Sequence, residues 1–171
     1  MLRQNSSDDF LLIVMRHGEA ESLRIDDKSR QLTASGRRQV AQAAQWLVEN
    51  YCPEARVDLA LVSPYRRARQ TFDLVNLDVS VGKALECDDI VPEGNPQIAH
   101  DYLDTLLSAA QGKVKPVKSV LLVSHMPFVS YFLDEISTVK TNSLFATASM
   151  AIVEYRLNSH NGQLLSHYQG D

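Results

Sequence analysis

The sequence predicts an α/β fold of three layers, in which helices cover both faces of a mostly parallel central sheet with an antiparallel edge. Two observations lead to this prediction. Three segments are continuously apolar rather than alternating, which is typical of strands buried on both faces, and segments with helical spacing alternate with them. The last two predicted strands follow each other across a short turn, which favours antiparallel pairing at one edge.

The N-terminal part contains the first strand and the most regular helix. Residues 1–9 are polar and are expected to form a flexible lead-in to a single domain over residues 10–171. Residues 10–15 form an unbroken apolar run and are predicted as a buried strand. Thr33 is a suitable N-cap residue, and apolar side chains recur after it at helical spacing. These features predict a helix over residues 33–50.

The middle of the chain repeats this order. Residues 58–62 are predicted as the second strand. Ser63 is expected to cap, and Pro64 to open, a helix that ends near residue 76. Glycines and prolines interrupt the short apolar pieces of residues 77–96, which predicts a functional connection rather than regular structure.

The C-terminal half contains the remaining predicted helices and strands. A helix is predicted over residues 97–110, and the apolar run 119–123 is predicted as the third buried strand. Another helix is predicted over residues 127–136. Residues 148–156 and 163–168 are predicted as the terminal strands, joined by a turn. No repeat or linker divides the chain.

Composition narrows the class of protein. A length of 171 residues suits one domain with a sizeable core, and a net charge of −4 argues against a general nucleic-acid binder. The two cysteines, Cys52 and Cys87, have neither disulfide-framework nor zinc-site spacing and are expected to be reduced thiols of a cytoplasmic protein. The apolar run near the N-terminus has only six residues, which is too short for a signal peptide or a membrane span.

Chemistry-bearing residues follow each of the three apolar strands. Arg16 and His17 end the first strand, Ser63 and an arginine-rich segment follow the second, and His125 follows the third. The carboxyl ends of parallel strands meet at one edge of a sheet, which is where such folds bind ligands. Two histidines and at least two arginines are therefore expected to converge there.

This set of residue types suits a phosphoryl group. Arginine binds phosphate through two parallel hydrogen bonds, and a neutral imidazole can attack phosphorus if its other nitrogen keeps its proton. Gly18 is expected to let the backbone approach the His17 ring and the phosphate closely. The helix that begins near Ser63 is expected to add backbone N–H groups. Spacing alone does not decide which of the neighbouring arginines (Arg66, Arg67 or Arg69) contacts the phosphate.

Four ordered segments carry a resemblance to a known family. The segments are Arg16-His17-Gly18, Leu32-Thr33-x-x-Gly36-x-x-Gln39, Ser63-Pro64-x-x-Arg67-Ala68-x-Gln70-Thr71 and Ser124-His125. The chain resembles the histidine phosphatase superfamily, also called the phosphoglycerate mutase-like or RHG family. Within it, the compact length and the sequence Arg30-x-Leu32-Thr33 resemble the bacterial phosphohistidine phosphatases. The resemblance implies a phosphoglycerate mutase-like fold without a large helical insertion over the site.

The resemblance also assigns roles to individual residues. It implies that His17 is the nucleophile that becomes phosphorylated. Arg16, Arg67 and His125 are implied as the phosphate pocket, and Arg30 as a further contact. Among the arginines after Ser63, the family pattern thus selects Arg67.

A proton donor is the least defined part of the implied site. Glu93 lies in the stretch where relatives keep an acidic donor, and Glu19 and Glu21 compete for that role because they are close to His17 in sequence. An ester needs a proton on its leaving oxygen, whereas a phosphorylated imidazole can already be protonated on its distal nitrogen. A proton-donating residue is therefore less important for the hydrolysis of phosphohistidine than for that of an ester. Nothing in this chemistry requires a metal or another cofactor.

The function implied by the resemblance is a metal-independent phosphohistidine phosphatase. Its implied partners are histidine-containing phosphotransfer domains or phosphocarrier proteins. A small-molecule phosphomonoesterase or a phosphoglycerate mutase-type isomerase is the alternative among enzymes. A mutase must hold its intermediate away from water, and the missing insertion argues against it. A non-catalytic phosphoprotein-binding module is a further alternative, disfavoured because every residue of the implied pocket is present.

Overall fold

A computed structural model describes residues 8–22 and 26–170 of the chain. Most of the predicted lead-in, residues 1–7, lies outside the described residues. Strand β1 begins at Asp9, which is the last residue of the predicted lead-in 1–9.

The described residues form one six-stranded mixed sheet with the order β3-β2-β4-β1-β5-β6. Four neighbouring strands, β3, β2, β4 and β1, run parallel, while β5 is antiparallel to both β1 and β6. The strand bounds are β1 Asp9–Arg16, β2 Arg56–Val62, β3 Ser80–Glu86, β4 Ser119–Ser124, β5 Met150–Arg156 and β6 Asn161–Tyr168. The predicted parallel sheet with an antiparallel edge is confirmed.

Four α-helices cover the sheet in the described part of the chain. Their bounds are α1 Ala34–Asn50, α2 Arg66–Asp78, α3 Pro96–Ala110 and α4 Phe128–Ile136. Two short 3₁₀ turns, Asp27–Ser29 and Asp88–Ile90, lie between larger elements. None of the helices in residues 8–22 and 26–170 is long and apolar enough to cross a membrane.

The core consists of two apolar layers on opposite faces of the sheet. In β1, Leu12 and Val14 pack in the layer that contains α3 and α4, whereas Ile13 and Met15 pack in the layer that contains α1 and α2. Successive strand residues point to opposite faces, so a strand covered on both faces has no exposed side to make polar. This arrangement explains the unbroken apolar runs and confirms the three-layer fold.

The predicted start of α2 is wrong. Ser63 and Pro64 precede the helix, which begins at Arg66 with Tyr65 as its N-cap residue. The Ser63 hydroxyl oxygen lies 2.7 Å from His125 Nε2 and accepts the Tyr65 N–H at 3.3 Å, and α2 has no side-chain cap. By contrast, Thr33 caps α1 as predicted, since its hydroxyl accepts a hydrogen bond from the Gly36 N–H at 2.9 Å.

The prediction of an irregular connection over residues 77–96 is also wrong in part, because Ser80–Glu86 forms β3. This strand lies at the edge of the sheet and pairs only with β2 among the described strands. Ser80, Gly82 and Lys83 are exposed in it. Backbone pairing rather than side-chain burial therefore defines β3, and an apolar pattern cannot reveal such a strand.

Both cysteines are free thiols buried in the core. Burial raises the pKa of the Cys52 thiol to about 11, and burial also raises the pKa of Cys87. Because the thiolate is the reactive form, both side chains are expected to be chemically inert packing groups.

Candidate active site

Strands β2, β4 and β1 are neighbours in the sheet, and their carboxyl ends bring the predicted residues together. Arg16 is in register with Ser124, and the His17 N–H donates to the Ser124 carbonyl at 3.0 Å. The Ser63 N–H donates to the Val123 carbonyl at 3.1 Å. The predicted convergence of two histidines and two arginines at one sheet edge is confirmed.

The His17 ring is fixed as one tautomer by its neighbours. Its Nδ1 lies 2.6 Å from the Gly18 carbonyl oxygen, which can only accept, so Nδ1 carries the proton. Its Nε2 accepts a hydrogen bond from Arg67 Nε at 3.2 Å and therefore carries the lone pair. The side chain is buried, and burial is the main cause that lowers the pKa of His17 to about 3. His17 is thus held as a neutral imidazole with its lone pair on Nε2.

We expect the neutral state of His17 to persist well below neutral pH. A pKa lowered to about 3 means that the folded protein does not protonate this ring between pH 8 and pH 5. A titration of the ¹⁵N-labelled imidazole by NMR measures this directly. The urea-unfolded chain, whose histidines titrate near about 6.5, is the reference. Protonation of the folded His17 ring near pH 6.5 would contradict the expectation.

A lowered histidine pKa also predicts that the folded protein loses stability as the pH falls. Burial lowers the pKa of His125 to about 2, so the unfolded chain binds a proton there first as the pH falls. The free energy of unfolding should therefore fall from pH 7 to pH 5, by about 2 kcal/mol through this residue. Urea unfolding at both pH values, with His125→Gln as the comparison, tests it. An equal pH dependence in both proteins would contradict the assignment.

His125 packs beside His17 and is almost completely buried. The two ring centroids are 5.1 Å apart, and the Tyr65 ring meets His125 edge-on at 5.0 Å. His125 Nε2 lies 2.7 Å from the Ser63 hydroxyl oxygen. Its Nδ1 is buried and has no hydrogen-bond partner among the described residues.

Arg67 is anchored on one side by Asp27 and contacts His17 on the other. Arg67 Nη1 donates to the Asp27 carbonyl oxygen at 2.7 Å, and Nη2 donates to Asp27 Oδ2 at 3.1 Å. The Arg67 side chain is only 4% exposed, whereas that of Asp27 is 44% exposed. Hydrogen bonds from Arg30 and Arg67 outweigh the effect of burial and keep the pKa of Asp27 below its usual value. Asp27 thus holds a buried cation against the histidine.

Arg16 completes the positive lining of the site. Its Nη1 donates to the Phe145 carbonyl at 2.7 Å, while its Nε is buried without a partner among the described residues. Burial, and then the charge of Arg67, lower the pKa of Arg16. Buried donors without partners are costly. The unpaired nitrogens of Arg16 and His125 and the cluster of cations therefore fit an oxyanion such as a phosphoryl group.

Arg30 and Gly18 support the site in a less direct way than expected. Arg30 donates from Nε to the Glu21 carbonyl at 2.8 Å and from Nη1 to Asp27 Oδ1 at 2.9 Å, so Asp27 links Arg30 to Arg67. Gly18 is needed for a close approach, but to helix α1: a Cβ there would lie 2.7 Å from the Gly36 carbonyl oxygen. The Gly18 carbonyl nevertheless orients His17.

The candidate acids lie in different surroundings. Glu93 is exposed on the loop before α3 and makes no hydrogen bond or ion pair within residues 8–22 and 26–170. Glu19 Oε1 accepts from the Thr33 hydroxyl at 2.9 Å, and Glu21 Oε1 accepts from the Gln31 N–H at 3.0 Å. Glu93 is therefore the carboxylate of the three without such a partner.

Sequence reasoning missed the roles of three residues. Asp27 anchors Arg67, Ser63 contacts His125, and the Thr71 hydroxyl accepts from the Gly18 N–H at 3.1 Å. Thr71 and Ser63 stand in the segment that carried the resemblance, which was the available signal for them. Asp27 lies on a short turn away from any strand end, and no pattern pointed to it.

The chain matches the model of the histidine phosphatase superfamily (branch 1) over residues 12–89. This range contains the second half of β1, the turn with Asp27, and α2 with Arg67. The matched part thus includes the histidine and both arginines at the first two strand ends.

Two curated proteins and one solved structure are similar over most of the chain. The phosphohistidine phosphatase SixA homolog of Haemophilus influenzae is 37% identical over 145 residues, which cover 82% of this chain and 85% of that protein. Phosphohistidine phosphatase SixA of Escherichia coli K12 is 30% identical over 143 residues, 83% of each chain. The structure of the protein histidine phosphatase SixA complexed with tungstate superposes with a TM-score of 0.83 and 28% identity, covering 94% of this chain and 97% of that one.

Proposed function

The chain belongs to the histidine phosphatase superfamily, and on that premise we propose that it is a phosphohistidine phosphatase acting on other proteins through a phospho-His17 intermediate. The observation that carries the proposal is the state of His17. Its lone pair is on Nε2, and Arg67 lies 3.2 Å from that atom. The curated relatives carry the name phosphohistidine phosphatase, which supports the same activity here.

The reaction needs no proton from the enzyme in its first step. His17 Nε2 attacks phosphorus, the P–N bond of the substrate phosphohistidine breaks, and its electron pair returns to the substrate imidazole. Because that imidazole already carries a proton on its distal nitrogen, it leaves as a neutral ring. His17 keeps its Nδ1 proton, which stays hydrogen-bonded to the Gly18 carbonyl oxygen. This hydrogen bond stabilises the positive charge that the phosphorylated ring acquires. One P–N bond replaces another, so the step is nearly balanced.

Water completes the cycle. It adds oxygen to the phosphorus of phospho-His17, the P–N bond breaks toward Nε2, and both protons of the water stay on the released phosphate. We assign Arg16, Arg67 and His125 as the residues that bind the phosphoryl oxygens. Arg30 binds the carboxylate oxygen of Asp27 that does not contact Arg67. Such donors act by stabilising charge on the equatorial oxygens, the main demand of phosphoryl transfer.

The partner in this proposal is a protein that carries phosphohistidine, of the phosphotransfer-domain or phosphocarrier type. A small metabolite is bound best in a deep, enclosed pocket, whereas a side chain on a folded protein requires an open one. Helices α1 to α4 all pack on the faces of the sheet in the described part of the chain. The carboxyl edge is thus left to loops rather than to a helix, which supports a protein side chain as the substrate. We place the protein in the cytoplasm together with these partners, without a metal cofactor.

The test is a comparison of substrates under metal-free conditions. Purified protein with a chelator is offered a phosphohistidine-bearing phosphotransfer domain and, separately, small phosphomonoesters. We expect release of inorganic phosphate from the protein substrate with a kcat/KM at least about 100-fold higher. A preference for a small ester would retain the nucleophile and overturn the substrate. Loss of activity with the chelator would overturn the metal-independent mechanism.

Glu93 is proposed as the proton donor for leaving groups that need one. Its exposed carboxylate on the loop before α3 is expected to serve esters, which leave as alkoxides, more than phosphohistidine. Glu93→Gln in the same comparison should slow ester hydrolysis more than phosphohistidine hydrolysis. Equal effects on both substrates would contradict the leaving-group argument.

A further inference from the structure

We propose that Ser63 is a positioning residue that fixes His125 as the tautomer protonated on Nδ1, so that Nδ1 donates a hydrogen bond to a phosphoryl oxygen. The two histidines of the site then share the Nδ1-protonated tautomer but turn different nitrogens to the site: His17 presents the lone pair of Nε2, and His125 presents the proton of Nδ1. The identity of the acceptor rests on the proposed function, whereas the tautomer can be measured without it.

The hydrogen bonds around Ser63 determine the tautomer. The Tyr65 N–H donates to the Ser63 hydroxyl oxygen at 3.3 Å, and His125 Nε2 lies 2.7 Å from the same oxygen. Ser63 is completely buried from bulk solvent. If Nε2 carried the proton, the hydroxyl hydrogen would have no acceptor within the described ranges. Donation from the hydroxyl to Nε2 satisfies both groups and leaves the proton on Nδ1.

The surroundings of His125 suit an anion as the acceptor for its Nδ1 proton. His125 Nδ1 is buried and has no partner in residues 8–22 and 26–170. Burial first, and then the charges of Arg67 and Arg16, oppose the positive form of this ring and lower its pKa. A neutral imidazole with an unpaired N–H, beside two guanidinium groups, is complementary to a phosphoryl oxygen. The ring contributes a hydrogen bond without adding another charge.

The tautomer of His17 is fixed by its neighbours in the same way. A backbone carbonyl, which only accepts, directs the His17 proton to Nδ1 and leaves Nε2 for attack. A buried hydroxyl, which can donate, takes the lone pair of His125 Nε2. The structure thus assigns different tasks to two residues of the same type through their neighbours.

The first test is the tautomer itself, in the wild-type protein. A long-range ¹H–¹⁵N correlation spectrum distinguishes imidazole nitrogens that carry a proton from those that do not. We expect His125 to show a protonated Nδ1 and an unprotonated Nε2, with or without inorganic phosphate. A protonated Nε2 would overturn the proposal, whatever the substrate of the enzyme is.

Ser63→Ala tests the role of the hydroxyl. We expect the His125 signals to shift toward the other tautomer and the affinity for inorganic phosphate to fall about 10-fold to 100-fold, as for loss of a hydrogen bond to a charged group. Ser124→Ala is the matched control, because Ser124 is an equally buried serine at the neighbouring strand end whose hydroxyl donates to the Ile90 carbonyl. The control should leave the His125 tautomer unchanged.

Ser63→Thr keeps a hydroxyl at this position and should restore both the tautomer and the phosphate affinity. An unchanged tautomer in Ser63→Ala, or an equal shift in Ser124→Ala, would overturn the proposal. Binding of inorganic phosphate is measured by calorimetry without turnover. A wrong protein substrate in the proposed function therefore leaves this test intact, and failure of the two proposals is distinguishable.

Discussion

Replacing His17 with alanine is expected to abolish turnover while the fold is retained. No other side chain in the described site offers an unprotonated nitrogen beside Arg67, because the remaining imidazole uses Nε2 for Ser63. Loss of a covalent nucleophile lowers kcat by roughly 10⁴-fold or more in comparable enzymes. Phosphate release from a phosphohistidine protein, together with intact mass at alkaline pH for the phosphoenzyme, measures both consequences. Thermal unfolding checks the fold.

The matched control is His160→Asn. His160 is an exposed histidine on the turn before β6, with a positive φ that asparagine tolerates. This variant should keep both turnover and labelling. Substantial phosphate release by His17→Ala, or a phosphorylated His17→Ala protein, would refute the nucleophile assignment.

Replacing Arg67 with alanine is expected to cost about 3–4 kcal/mol of transition-state stabilisation, or roughly 10²-fold to 10³-fold in kcat/KM. The side chain is buried and supplies the only guanidinium in contact with His17 Nε2 in the described part of the chain. Its loss also removes one of the two arginine partners of the Asp27 carboxylate. Steady-state kinetics on the phosphohistidine protein give the value.

Arg66→Ala and Arg69→Ala are the controls for loss of a positive charge. Both residues are exposed on α2, one and two positions from Arg67. We expect rates within a factor of about three of wild type, since exposed charges are strongly screened. A near-normal rate for Arg67→Ala would mean that another arginine binds the phosphate.

The sequence was informative wherever a strand is covered on both faces. Such strands need unbroken apolar runs, and their carboxyl ends fix where the next residues lie, which is why His17 and His125 could be placed together. The edge strand β3 has no such requirement. Its side chains are mostly exposed, so only its pairing with β2 defines it.

Contacts between side chains on distant elements could not be predicted from the sequence. Asp27 reaches Arg67 from a turn forty residues away, and Ser63 turns its hydroxyl to His125 instead of capping α2. Both contacts depend on which strands are neighbours and on side-chain direction at the sheet edge. A cap and a ligand-orienting hydroxyl need the same residue type, so Ser63 could be read either way until the sheet order was known.

Strand β3 also limits how this protein meets others. An open sheet edge presents unpaired backbone groups that invite another chain to add a strand. Here β3 carries the exposed Lys83. The Arg56 guanidinium also lies close to this strand, since a Cβ added at Gly82 would be 3.0 Å from it. Charge along an edge strand opposes strand addition by a second chain. Self-association through β3 is thereby disfavoured.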